Sequence, residues 1–197
     1  REVALQIAPA VQQKKSLVVS IAAGISQVTL ALWLGSDVAI VRCMPNTPAL
    51  IGEGAAALFA NEQAKTLLDK ALKIFSSVGK AVVVAEEGLI DSVTALSGSG
   101  PAYFFLLMEE MIKTGVELGL PEETAKDLVL QTARGAGLLA CEADKNGEGP
   151  AILRKKVTSP GGTTEAAIKV FSEGNFGQLV NAALKRACQR SKELSGS

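Results

Sequence analysis

Histidine is absent from all 197 residues, and with it the side chain most often used as a general base and the third member of any serine or cysteine triad. Hydrolysis by those routes is nearly excluded. Aromatics are scarce, with six Phe, one Tyr and one Trp, too few for base-stacking platforms. Twenty basic residues balance twenty acidic ones, so no broad electrostatic footprint points to nucleic acid. No uncharged run is long enough to span a membrane, and no basic-then-apolar signal opens the chain, so a membrane partner is not expected. Cys43, Cys141 and Cys188 are odd in number and far apart, without zinc or redox spacing; they read as reduced thiols of a cytoplasmic protein that holds no metal. What remains, 48% apolar residues in a chain of neutral formal charge, suits a globular protein acting on small molecules.

The chain changes grammar once. From Arg1 to about Ala85 helical and strand patterns alternate, the signature of a parallel sheet covered by helices. A helix is expected to about Lys15, then a strand over Leu17–Ile21, a helix over Gln27–Leu34, strands over Val38–Met44 and Ala55–Phe59, a helix over Glu62–Val78 and a strand over Lys80–Ala85. The adjacent apolar residues of Leu17–Ile21 and Val82–Val84 suggest strands buried on both faces. From Glu86 the strand pattern stops, and helices follow one another, broken at Gly98–Gly100, Leu120–Pro121, Gly147–Pro150 and Ser159–Gly162. The domains expected are therefore residues 1–85 and an all-helical 86–197.

Two helices of the second part carry more apolar surface than one short domain can cover. After Pro101 the charges Glu109, Lys113 and Glu117 form one narrow stripe, and apolar residues cover most of the remaining circumference. The helix from Glu122 to about Ala143 bears small residues, Ala125, Ala133, Gly135, Ala136 and Gly137 among them, that admit a close neighbour. Two copies are expected to interlock as a homodimer, with packing inside one chain as the alternative.

No G-x-G-x-x-G turn lies between a strand and a helix, so the usual cradle for a dinucleotide pyrophosphate is missing. Gly52-Glu53-Gly54 leads into a strand and reads as a turn between strands, and Gly98-Ser99-Gly100 is a weak phosphate signal in an all-helical setting. The first part resembles the later portion of a nucleotide-binding sheet whose opening unit is absent. A sheet left with such an edge is expected to be less stable or to aggregate. The strongest local signal is Val157-Thr158-Ser159-Pro160-Gly161-Gly162-Thr163-Thr164, where a Pro-Gly-Gly turn opens a helix. Unpartnered helix amides and the hydroxyls of Ser159, Thr163 and Thr164 suit a small anion. An ordinary capped helix start is an equal reading of those residues alone.

Four segments, in order and at similar spacings, resemble one family: Val19-Ser20-Ile21-Ala22-Ala23-Gly24, Arg42-Cys43-Met44-Pro45-Asn46-Thr47-Pro48, Leu89-Ile90-Asp91 with Leu96 to Tyr103, and Val157 to Thr164. The family is pyrroline-5-carboxylate reductase, and the last segment is its signature. The resemblance covers the whole chain, while the family's N-terminal strand and glycine-rich turn have no counterpart. It implies an α/β plus all-α fold: a partial Rossmann-like domain with a parallel sheet, then a helical domain for dimerisation and substrate binding. The implied reaction is reduction of the C=N bond of 1-pyrroline-5-carboxylate to proline with NADPH or NADH. Carried over by residue, Val157, Ser159, Gly162, Thr163 and Thr164 would bind the substrate, with Thr164 near the imine nitrogen as the catalytic residue. Ala23 and Gly24 would line the cofactor, and Met44, Asn46 and Thr47 would lie where its nicotinamide end approaches the substrate. Imine reduction depends on orientation and an available proton more than on a strong base, so a chain without histidine can support it. Two rivals remain: a two-domain hydroxyacid-type dehydrogenase, for which no lysine stands in a matching motif, and a catalytically silent helical dimer. Arg42 is open between a cofactor phosphate and a structural ion pair, and assembly beyond the dimer is left open.

Overall fold

The expected alternation of helix and strand is realised up to Val83. The computed structural model describes residues 1–195 and runs α1 (Glu2–Lys14), β1 (Val18–Ser20), α2 (Gln27–Leu34), β2 (Ile40–Met44), β3 (Gly54–Ala60), α3 (Leu68–Ser76) and β4 (Gly79–Val83). Only helical elements follow among the described residues: α4 (Leu89–Val93), α5 (Gly100–Glu117), α6 (Glu122–Asp144), α7 (Pro150–Lys156), α8 (Thr163–Glu173) and α9 (Phe176–Ser195). They form two compact units. The first comprises residues 1–101 and takes up the chain again from Ala182; the second is residues 102–181.

The sheet of the first unit has the order β1-β2-β3-β4. β1 pairs in parallel with β2 across the α2 crossover, and β3 in parallel with β4 across α3, but β2 and β3 run antiparallel with Met44 opposite Ala57. The wholly parallel sheet expected from the sequence is therefore corrected to a mixed one. Residues 45–53 hold only a 3-10 turn, Thr47–Ile51, whereas a parallel crossover needs about a dozen residues or more.

Successive β2 side chains point to opposite faces, and both faces are covered. Val41 and Cys43 pack with Leu58, Ala64 and Ala71 on one side, and Ile40 packs with Leu30, Leu34, Val38, Ala8 and Val11 on the other. Every β2 residue is buried, as its central place requires. The outer strands differ from expectation: β1 is only half-buried, and Val82 and Val83 of β4 are 46% and 48% exposed, because an edge strand has a neighbour on one side alone. Asn61 fixes the start of β2 by accepting from the Ile40 amide and donating to the Val38 carbonyl. It also accepts from the Ala64 amide, which makes the expected Glu62–Val78 helix begin as a 3-10 turn over Glu62–Leu67 before α3.

The second unit has a different balance. Gly119, at φ 99°, and Pro121 separate α5 from α6, a left-handed stop followed by a preset helix entry. The two helices approach where a Cβ on Gly115 would stand 3.2 Å from that of Ala125. Of its apolar side chains only Ala125, Val129 and Ala143 are buried, while Phe104 and Phe105 are 65% and 59% exposed.

Candidate functional site

In the first unit, parallel β1 and β2 end at Ser20 and Met44, so the loops that follow both strands open on the same edge of the sheet. That carboxyl edge is where open α/β sheets bind ligands. A cleft of about 540 Å³ lies there, walled by Ile21, Pro45, Asn46, Thr47, Phe75 and Gly98. Met44 packs against its Gly98 wall, with its Sδ 3.3 Å from the position a Cβ would take on Gly98. Met44, Asn46 and Thr47 are thus brought together. Ala23 and Gly24 form the neighbouring turn between β1 and α2 and do not line the cleft. Gly24 is buried at φ 69°, and a Cβ there would lie 2.8 Å from the Leu194 Cβ, so both its backbone and its surroundings demand glycine. Ser26 then caps α2, its Oγ accepting from the Thr29 amide at 3.2 Å.

The two readings of Arg42 are resolved by its partner. Its buried guanidinium donates to Glu87 Oε1 at 2.9 Å, and the same oxygen accepts from the Gln27 amide at 2.6 Å. Glu87 therefore joins β2 to the first turn of α2. Sequence reasoning missed it because it lies between a strand and a helix with no motif of its own. The Gly98–Gly100 segment is no phosphate loop either: the chain passes from α4 through a π turn at Thr94–Gly98 directly into α5.

The second unit holds the other predicted group. After α7 the Thr158 hydroxyl donates to the Arg154 carbonyl at 2.6 Å, Gly161 takes φ 73°, and the Gly162 amide donates to the Ser159 carbonyl at 3.0 Å. This tight turn delivers the chain to α8 with Gly162 as N-cap and no side chain capping the helix. Ser159 and Thr163 are exposed and Thr164 half-buried, and Val157 is largely exposed where α7 ends. Glu165 reaches back, its Oε2 accepting from the Gly161 amide at 2.8 Å, and so braces the turn. The first amides of α8 remain at the positive end of the helix dipole, a setting for a carboxylate or phosphate.

Titration adds no nucleophile. Burial pushes the Cys43 thiol up to about 12, which keeps it protonated and inert. Among the described residues no group of His, Cys, Asp and Glu is placed to hold a metal ion, and no helix is long and apolar enough to cross a membrane.

Comparison with known proteins gives a consistent result. Residues 87–194 match the family model for pyrroline-5-carboxylate reductase dimerisation. Pyrroline-5-carboxylate reductase of Pseudomonas aeruginosa is 52% identical over 190 residues, covering 96% of this chain and 68% of the relative. That of Arabidopsis thaliana is 43% identical over 186 residues, covering 93% and 65%. Among solved structures, a pyrroline-5-carboxylate reductase from Coxiella burnetii superposes with a TM-score of 0.91 at 44% identity, covering 98% of this chain and 71% of that one. Pyrroline carboxylate reductase of Plasmodium falciparum, solved with NADP bound, gives 0.88 at 34% identity, covering 98% and 75%. The chain spans about two thirds of the length of the curated relatives it matches.

Proposed function

The chain belongs to the pyrroline-5-carboxylate reductase family, and from that premise we propose that it carries the substrate-binding and part of the cofactor-binding machinery for reducing 1-pyrroline-5-carboxylate to proline. The cofactor is NAD(P)H, and it supplies the hydride that reduces the imine carbon. The apolar cleft at the carboxyl ends of β1 and β2 fits a flat nicotinamide ring, with Met44, Asn46 and Thr47 at its end and Ala23 and Gly24 in the adjoining turn. No G-x-G-x-x-G turn occurs in the chain, so these residues fit the ring end of the cofactor and leave its pyrophosphate unassigned.

The observation that carries the reading is the mouth of α8, a helix start with a glycine N-cap and no capping side chain. Val157, Ser159, Gly162, Thr163 and Thr164 surround it. Amides of this turn hold the substrate carboxylate, which fixes the direction of the ring. The Thr164 hydroxyl, half-buried one residue into the helix, hydrogen-bonds the imine nitrogen or relays a proton to it from water. Proton delivery of this kind needs no histidine. Division into a cofactor part over 1–85 and a dimerisation and substrate part over 86–197 belongs to the same reading, as does assembly into a homodimer through α5 and α6. A cytoplasmic setting accords with the three free thiols.

The test is NADPH and NADH oxidation with 1-pyrroline-5-carboxylate in the protein that carries this chain, with and without Thr164→Ala. Turnover is expected for the unaltered protein and a loss of kcat of roughly a hundredfold in the variant, the lower end of the range for one acid–base group. Unchanged kinetics in Thr164→Ala would remove the role given to that hydroxyl.

A further inference from the structure

The cleft beside β2 is lined in part by one side chain, Asn46, both of whose polar atoms bond to backbone groups. Asn46 stands two residues beyond the last pair of the β2–β3 ladder, Met44 opposite Ala57, and continuing that register places it opposite Ala55. Its backbone does not make the next ladder bond. The Asn46 carbonyl instead accepts from the Ala49 amide at 3.2 Å and starts the 3-10 turn. The side chain replaces what the backbone gave up: Oδ1 accepts from the Ala55 amide at 2.8 Å, so the ladder is extended by a side-chain carbonyl. The amide nitrogen Nδ2 donates to the Ser97 carbonyl at 3.0 Å. That carbonyl belongs to the π turn, and the residue four further on is Pro101, which has no N–H to give it in the α-helical pattern.

We infer that Asn46 is a positioning residue that ties three segments, the end of β2, the start of β3 and the π turn before α5, into one wall of the cleft. The wall includes Thr47 on one side and Gly98 on the other. Both halves of the amide are committed to backbone partners, so Asn46 acts through the placement of its neighbours. No other side chain of comparable length carries a carbonyl acceptor and an N–H donor together except glutamine, whose extra methylene would displace both bonds. As a statement about catalysis the inference rests on the reductase reading above; as a statement about the clamp it does not.

Two variants separate the arms. In Asn46→Ala both bonds are lost; in Asn46→Asp the acceptor for Ala55 is kept and the donor to Ser97 is replaced by a carboxylate facing a carbonyl. Amide hydrogen exchange followed by NMR is expected to accelerate at Ala55 by about tenfold or more in Asn46→Ala, relative to Leu58 deeper in the same strand, and to stay slow at Ala55 in Asn46→Asp. In the protein that carries this chain, kcat is expected to fall roughly tenfold to a hundredfold in both variants, with KM for the imine substrate within about threefold. Ala55 exchange that does not change in Asn46→Ala overturns the clamp. Altered exchange with unchanged kcat in both variants overturns its service to the reaction. Absence of turnover in the unaltered protein counts against the reductase reading alone, and the exchange at Ala55 still decides the clamp.

Discussion

The two units solve the problem of apolar surface in opposite ways. The first encloses two buried clusters around β2, one on each face of its sheet. The second buries little more than Ala125, Val129 and Ala143 and leaves Phe104, Phe105, Leu138 and Leu139 exposed on its helices. A helix as apolar as α5 is stable only when its circumference is covered, and the chain alone does not cover it. The sheet unit thus carries its core within itself, and the helical unit completes its core by association, in agreement with its match to a dimerisation family.

The contrast breaks most sharply on α5. Phe105 lines an apolar groove with Met108, Ile112 and Val116. Phe105→Glu would place an unpaired charge on the exposed apolar face through which association is proposed, and we expect the dissociation constant to rise about a thousandfold by sedimentation, as burial of one uncompensated charge implies. Melting of a first-unit probe such as Trp33 should be affected far less. A dimer of undiminished affinity would show that α5 is not the contact.

A smaller effect of opposite character is expected in the sheet. Leu58 is fully buried at the centre of β3. Leu58→Ala should cost about 3 kcal/mol in urea unfolding and leave the subunit affinity as it was. A loss of association equal to that of the α5 variant would erase the distinction between the units.

How these features could be read beforehand differs from residue to residue. The helices and the order of strands followed from periodicity, and the α8 mouth from its Pro-Gly-Gly turn. Antiparallel β3 was hidden because its alanines carry no directional signal, and only the short 45–53 connection betrays it. Val82 and Val83 looked like core because local sequence cannot tell an edge strand from a central one. The partner of Arg42 lies 45 positions away, beyond any local pattern. The family resemblance points to Asn46 for the nicotinamide end of the cofactor, yet its bonds to Ala55 and Ser97 depend on tertiary contact that no spacing encodes.

The smallest expected effect sharpens the comparison through the thiols. Cys43 is buried in the first unit with its pKa raised by burial from 9.0 to about 12, whereas Cys141 is exposed in the second. Between those two values the unfolded chain gives up the Cys43 proton before the folded one does. Stability is therefore fully retained below pH 9.0 and falls as pH rises toward 12. Cys43→Ala should flatten that alkaline slope in unfolding measurements. At neutral pH a thiol reagent should leave Cys43 untouched until the sheet opens.

The end of α9 gives the first unit a particular birth order. The Ser191 hydroxyl donates to Asp91 Oδ1 in a buried contact at 2.5 Å between residues 100 positions apart, and Leu194 closes over Gly24. On a ribosome the sheet emerges early, but its final covering segment emerges only after the whole helical unit has been made. Until then Asp91 lacks its hydroxyl partner and the turn at Gly24 lacks its lid. The nascent sheet must wait for that segment until the helical unit between them has been synthesised.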